Sequence, residues 1–99
     1  MKIHGFYCGP GWTRGKDHPE KKMFDLEYVR PIDELDYACM IHDTSIAMEG
    51  TSRSSDLQLA EDARRIAKAN KFKNPKLAFK ALAVEKAMRI AATKRKNQN

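Results

Sequence analysis

A helix over residues 31–49 is the strongest constraint that the sequence places on the fold. Apolar and reactive side chains recur there every three or four residues, the spacing of one helical face. They are Ile32, Leu35, Cys39, His42 and Ile46. Pro31 suits a first helical turn, and the acidic residues after it complement the positive helix start. Gly50 is a natural stop, so the pattern predicts one helix that carries a cysteine and a histidine on the same face.

Two further helices are predicted, over residues 55–70 and 75–94. Asn74-Pro75 indicates an N-cap followed by a first-turn proline. The last helix has an apolar face that is widened by three larger side chains, Phe79, Leu82 and Ile90. Residues 1–30 contain most of the glycines and no sustained period, and they predict a loop and an irregular segment. The chain is therefore expected to be mainly α, with two antiparallel helices about Gly50 and a third C-terminal helix.

Length and charge restrict the possible classes of protein. The chain has 99 residues, which predicts a single domain over 1–99 with a modest core. Its apolar runs are too short for a membrane span, and no signal peptide is visible after the start. Residues 1–60 hold seven Lys/Arg against ten Asp/Glu, whereas residues 61–99 hold twelve against three. The basic half offers a face for polyanions, either anionic membranes or nucleic acids.

The reactive residues of the first helix lie close together along the chain. Cys39 and His42 are three residues apart and share a face, and Asp43 follows directly. The other cysteine, Cys8, lies in the glycine-rich segment 7–11. A disulfide between the two cysteines would hold that segment over the histidine, and two free buried thiols are the alternative.

A glycine-rich loop beside an aspartate is a suitable calcium site. Gly9 and Gly11 allow the loop to turn its carbonyl oxygens inward, and the Asp43 carboxylate would add the remaining hard ligands. Imidazoles titrate near neutrality, so His42 is a candidate general base for water. Its tautomer would need a partner, and we expect Asp62 on the second helix to be that partner.

These residues together resemble the secreted phospholipase A2 superfamily. The resemblance rests on Tyr7-Cys8-Gly9-x-Gly11 and on the helix motif that ends in Cys39-x-x-His42-Asp43. The Gly-Pro-Gly of the loop, and an aspartate twenty residues after the histidine, also resemble the phospholipase A2 domain of parvovirus capsid proteins. The likeness covers residues 6–67 in outline, and residues 72–99 match only in being helical.

The resemblance implies a function and a set of site residues. It implies hydrolysis of the sn-2 ester of glycerophospholipids, with His42 activating water, Asp62 orienting the imidazole and the Gly9 N–H contributing to the oxyanion site. The implied cofactor is Ca²⁺. Its implied ligands are the carbonyls of Tyr7, Gly9 and Gly11 and the carboxylate of Asp43. It also implies a disulfide between Cys8 and Cys39.

The chain departs from the family in several respects. Residues 12–30 form an insertion between the loop and the helix, Ile46 stands where the family usually has a tyrosine, and only one disulfide is possible. An apolar substrate slot is expected near Phe6, Trp12, Leu35 and Ile46. The expected partner is an anionic phospholipid surface, reached through the basic face 64–96, with no obligatory nucleic acid. The expected location is secreted or virion-associated.

Two alternatives from other classes of protein remain at this stage. The first is a zinc-stabilised basic module that binds nucleic acid, since two histidines and two cysteines have plausible spacing for a zinc site. They are His4, Cys8, Cys39 and His42. A disulfide favours the calcium-loop interpretation, whereas free thiols with bound zinc favour the finger. The second alternative is a lipid-binding but inactive relative.

Overall fold

The computed structural model describes residues 1–95, which fall into two compact units, Met1–Thr51 and a second beginning at Ser52. The described part of the chain is mainly helical, as the sequence predicts. Its elements are β1 (Trp12–Thr13), β2 (Lys16–Asp17), a 3₁₀ helix (Glu20–Asp25), α1 (Glu34–Glu49), α2 (Arg53–Asn70) and α3 (Pro75–Thr93). Lys96, the last residue of the predicted basic face, lies outside the described residues. The predicted antiparallel pairing of the first two helices stays a prediction.

The first unit is built on α1 and the 3₁₀ helix, which pack together. Its largest buried side chains come from the N-terminal loop, the 3₁₀ helix and α1: Tyr7, Met23 and Leu35. The insertion is more regular than predicted, because β1 and β2 form a short antiparallel hairpin and the 3₁₀ helix follows it. The insertion is thus part of the folded unit.

Helix α1 begins later than the sequence indicates. Pro31 lies outside the helix, because Asp33 is the N-cap and its side chain accepts a hydrogen bond from the Asp36 N–H at 2.9 Å. A capping carboxylate satisfies one of the free N–H groups of the first turn, and this fixes where the helix starts. The predicted end is confirmed, since Gly50 is the C-cap.

The second unit is a hairpin of α2 and α3. Ser52 caps α2, and Asn74 caps α3 with Pro75 in the first turn, as predicted for the last helix. Among the described residues two ion pairs join the helices, Arg64–Glu85 and Arg89–Glu61, and a third, Arg95–Asp56, joins α2 to the residues just after α3. In these pairs the residue number rises on one helix as it falls on the other, which shows that the helices run antiparallel. Several buried residues are alanines, including Ala60, Ala63, Ala67 and Ala81.

The outer surface of α3 differs from the prediction. Phe79, Leu82 and Ile90 were expected to widen the buried face, but their exposed fractions are 75%, 52% and 49%. The periodicity of apolar residues predicts which side chains share a helix face. It does not predict how much of that face a single partner helix covers. Among residues 1–95, no helix has both the length and the apolar character needed to cross a membrane.

Candidate active site

The N-terminal loop is tied to α1 by the two cysteines. Their Sγ atoms lie at disulfide distance, and their Cα atoms are 5.1 Å apart. Both residues are buried. The link spans 31 residues of chain, and in the chain-entropy model closing such a loop contributes about 3–4 kcal/mol to stability. The bridge fixes Cys8 of the loop one helical turn before His42.

Hydrogen bonds to Asp36 form a second attachment between the loop and α1, and Asp36 has no exposed surface. Its carboxylate accepts hydrogen bonds from the backbone N–H groups of Phe6 and Tyr7, at 2.8–3.1 Å, and from the Ile32 N–H at 3.0 Å. Gly5 permits this approach, because a Cβ there would collide with the carboxylate, and its φ is +61°. Charge-assisted hydrogen bonds of this kind are the stronger class. Asp36 therefore orients the backbone just before the predicted calcium ligands.

Gly9 lies where no other residue would fit. Its φ is +143°, and an added Cβ would collide with the backbone carbonyl oxygen of Met1. The predicted calcium loop is thus packed against the first residues of the chain, and the close approach explains why this position requires glycine. Neither constraint was visible in the sequence beyond the presence of the glycine itself.

The predicted catalytic pair, His42 and Asp43, is buried on α1. His42 is 8% exposed and Asp43 is 3% exposed. The distance from His42 Nδ1 to Asp43 Oδ1 is 3.9 Å, which is an ion-pair distance and too long for a hydrogen bond. The Nδ1 edge of the imidazole therefore faces the carboxylate across a short gap.

The Asp43 carboxylate is poorly compensated. Among residues 1–95 its Oδ2 atom is buried without a hydrogen-bond partner. Burial raises the pKa of Asp43 to about 6; the His42 and Thr13 side chains act to lower it, and the charge of Glu20 raises it further. A buried carboxylate that lacks a hydrogen-bond partner at one oxygen has the chemistry of a cation ligand. The residues present thus fit a hard cation such as calcium.

The predicted carbonyl ligands come from a structured loop. The Gly9 carbonyl accepts a hydrogen bond from the Trp12 N–H at 3.2 Å, and the Gly11 carbonyl accepts one from the His18 N–H at 2.9 Å. A carbonyl oxygen has two lone pairs, so each of these groups keeps one for a further interaction. Tyr7 is buried, and its hydroxyl donates to the Val29 carbonyl at the end of the insertion.

Sequence reasoning missed two residues of the insertion that approach this site. Glu20 Oε2 accepts a hydrogen bond from the Gly11 N–H at 2.9 Å. Thr13 has no exposed surface, and among the described residues its Oγ1 atom has no hydrogen-bond partner. The only available signal was their place in an insertion directly after the loop, which does not indicate where a side chain points.

Asp62, the predicted orienting residue, makes its observed contacts within α2. It accepts hydrogen bonds from Gln58 Nε2 at 3.1 Å and from Arg65 Nη2 at 3.4 Å. Of the three acidic residues on α2, Asp56 is the buried one, at 2% exposure, and its carboxylate pairs with Arg95 Nη1 at 2.8 Å. The assignment of Asp62 as the histidine's partner stays a prediction.

The four residues of the predicted substrate slot differ in exposure. Leu35 and Ile46 are buried, whereas Phe6 and Trp12 are partly exposed. The indole Nε1 of Trp12 donates to the Gly5 carbonyl at 3.1 Å, which holds the ring against the start of the loop. The slot itself stays a prediction.

The alternative zinc site has less support in this geometry. The two sulfur atoms face each other at disulfide distance, and sulfurs joined in a disulfide are not thiolate ligands. His4 Nε2 lies 2.7 Å from Asp33 Oδ2. Within residues 1–95 no cluster of three or more His, Cys, Asp or Glu side chains is placed to hold a metal ion. A calcium site built mainly from backbone carbonyls does not require such a cluster.

Comparison with known proteins finds no matching family model, curated protein or solved structure.

Proposed function

We propose that this chain is a calcium-dependent phospholipase A2 that hydrolyses the sn-2 ester of glycerophospholipids. The observation that carries the proposal is a buried His42–Asp43 pair on α1, fastened to a glycine-rich loop by a cysteine pair. The uncompensated Oδ2 atom of Asp43 supports the presence of a cation when the site is loaded.

His42 is the proposed general base. Its Nδ1 atom would take a proton from a water molecule as the water oxygen attacks the ester carbonyl carbon. The same proton would then pass to the departing alkoxide oxygen as the ester C–O bond breaks, which releases a fatty acid and a lysophospholipid. Asp62 is the proposed partner that fixes the imidazole tautomer.

The proposed cation ligands are the carbonyls of Tyr7, Gly9 and Gly11 and the carboxylate of Asp43. The chemistry that calcium supplies when bound is charge stabilisation at the ester carbonyl oxygen, usually the largest catalytic contribution. The Gly9 N–H is the proposed hydrogen-bond donor to the same oxygen. The bridge and Asp36 keep these backbone groups oriented before substrate arrives, so little reorganisation is needed during the reaction.

The decisive assay is release of fatty acid from mixed phospholipid vesicles with calcium, compared with the same sample in excess chelator. His42→Gln should lower the rate by about a thousandfold or more while the helical circular dichroism is kept, because the general base is lost. His18→Gln is the matched control, since among the described residues the His18 side chain contacts the Lys22 carbonyl and Asp25. Ester cleavage that persists in His42→Gln would refute the mechanism.

The proposed partner is an anionic phospholipid surface, bound through α3. Its exposed apolar residues Phe79, Leu82 and Ile90 are accompanied by basic side chains on the same helix. An open groove of about 410 Å³ runs along this face. The groove is lined by Leu82, Glu85, Lys86, Arg89, Ile90 and Thr93. Apolar side chains flanked by lysine and arginine are the composition of elements that lie in a membrane interface.

Vesicle binding tests this partner independently of catalysis. Phe79→Ser combined with Leu82→Ser should weaken binding to anionic vesicles about tenfold, because two exposed apolar anchors are removed. Tyr37→Ser is the control, since Tyr37 is similarly exposed but lies on α1. Binding should also fade with added salt. Equal binding to uncharged vesicles, or no loss in the double variant, would contradict the proposal.

The cysteine pair also supports a proposed location. Disulfides persist in oxidising compartments and on virion surfaces, and they are rare in the cytosol. A secreted or virion-associated protein is therefore proposed.

A further inference from the structure

The insertion between the loop and α1 contributes an acidic residue that the proposed function does not use. Glu20 is the first residue of the 3₁₀ helix, and its Oε2 atom accepts the Gly11 N–H at 2.9 Å. Gly11 is one of the proposed carbonyl ligands. A carboxylate bonded to the backbone of a ligand residue lies at the edge of the same site.

Two buried oxygen atoms belong to residues beside this edge: Thr13 follows Gly11 by two residues, and its side chain acts on the Asp43 carboxylate. Asp43 Oδ2 and Thr13 Oγ1 are both buried oxygens that make no hydrogen bond to the described residues. Glu20 is also close enough to Asp43 for the two negative charges to act on each other. Two like charges near one buried oxygen are unfavourable unless a positive charge lies between or beside them.

We infer that Glu20 is a second acidic residue of the calcium site, supplied by the insertion, and that its charge increases the affinity for calcium. This inference rests on the proposed function, because it assigns Glu20 to the same ion. The insertion would then be a functional part of the loop that compensates for the small number of charged ligands.

The test is calcium binding by the whole chain, measured by titration calorimetry and by terbium luminescence sensitised through Trp12. Glu20→Gln keeps a side-chain oxygen for the Gly11 N–H and removes only the charge. It should weaken calcium binding about tenfold or more, as expected for the loss of one charge close to a divalent ion. Glu27→Gln is the matched control, because Glu27 is an exposed carboxylate of the same insertion. The calcium affinity of this variant should stay within about twofold of that of the parent chain.

Thermal unfolding in chelator separates an electrostatic role from a structural one. Glu20→Gln should unfold at the same temperature as the parent chain or a higher one, because repulsion with Asp43 is relieved. A variant that fails to fold, or that unfolds at a lower temperature, would overturn the inference in favour of a structural role.

The binding data also separate the two proposals. Unchanged affinity in Glu20→Gln, with affinity lost in Asp43→Asn, would overturn the role of Glu20 alone. No calcium binding by the parent chain would overturn the proposed function and this inference together.

Discussion

Replacing Asp43 with asparagine should stabilise the calcium-free protein at neutral pH. Burial raises the pKa of this carboxyl from 3.8 to about 6. At 1.36 kcal/mol per pH unit, that difference corresponds to about 3 kcal/mol by which the folded state disfavours the charged form. Asparagine has nearly the same shape without the charge, so it avoids this penalty.

The pH dependence of this effect has a definite sign. Below about pH 3, Asp43 is protonated in both the folded and unfolded states, and its burial costs no stability. As the pH rises through 4 to about 6, the unfolded chain loses its proton first, and the free energy of unfolding falls by up to about 3 kcal/mol. The free energy of unfolding of Asp43→Asn should therefore match that of the parent chain near pH 3 and exceed it near pH 7.

Thermal unfolding in chelator, followed by circular dichroism at both pH values, measures the difference. For a unit of this size, 1 kcal/mol corresponds to about 4–8 °C in Tm, so 3 kcal/mol corresponds to a rise of about 12–24 °C near pH 7. Calcium should raise the Tm of the parent chain and leave that of Asp43→Asn unchanged, because the cation ligand is gone. Glu49→Gln, an exposed change at the end of α1, is the control and should change stability little.

One outcome would refute the reasoning. If Asp43→Asn is less stable than the parent chain near pH 7 in chelator, the carboxylate is already compensated by other groups. The site would then need no cation to balance the charge of Asp43.

Three further predictions concern the fastening of the loop and the orientation of the histidine. Asp36→Asn should lower stability by about 2 kcal/mol or more, since a carboxamide cannot accept all the loop N–H groups; unchanged denaturant midpoints would contradict this. Cys39→Ala should cost about 3–4 kcal/mol and weaken calcium binding, which titration calorimetry would detect, whereas wild-type affinity would show that the bridge does not position the loop. Asp62→Asn should lower kcat about tenfold or more with calcium affinity unchanged. If only Asp56→Asn lowers kcat, the orienting carboxylate has been assigned to the wrong residue.

Local features of the fold were predictable because local chemistry determines them. Gly50 ends α1, and Asn74 with Pro75 begins α3, since caps and first-turn prolines act on their own helix. The start of α1 was misplaced because Asp33 competes with Pro31 as the boundary signal, and a capping side chain prevails. The predicted pairing of Cys8 with Cys39 agrees with the observed approach of their sulfur atoms.

Features that depend on distant parts of the chain were not predictable. The sequence suggests that Asp36 complements a helix start, yet its carboxylate binds N–H groups some thirty residues away. Glu20 reaches Gly11 only because the insertion folds back as a hairpin and a 3₁₀ helix. Phe79 was expected to be core, because periodicity does not reveal how wide the covering helix is.

The double attachment of the loop to α1 has a consequence for redox behaviour. Reduction would break the covalent link between Cys8 and Cys39. The carboxylate of Asp36 would still accept hydrogen bonds from the backbone N–H groups of Phe6 and Tyr7. A thiol reductant should thus increase the mobility of Gly9 and Gly11, while the hydrogen bonds to Asp36 hold the residues before them in place. We therefore expect the proposed activity to decline gradually in such a medium and to recover on reoxidation, because the Asp36 hydrogen bonds would keep the loop beside α1.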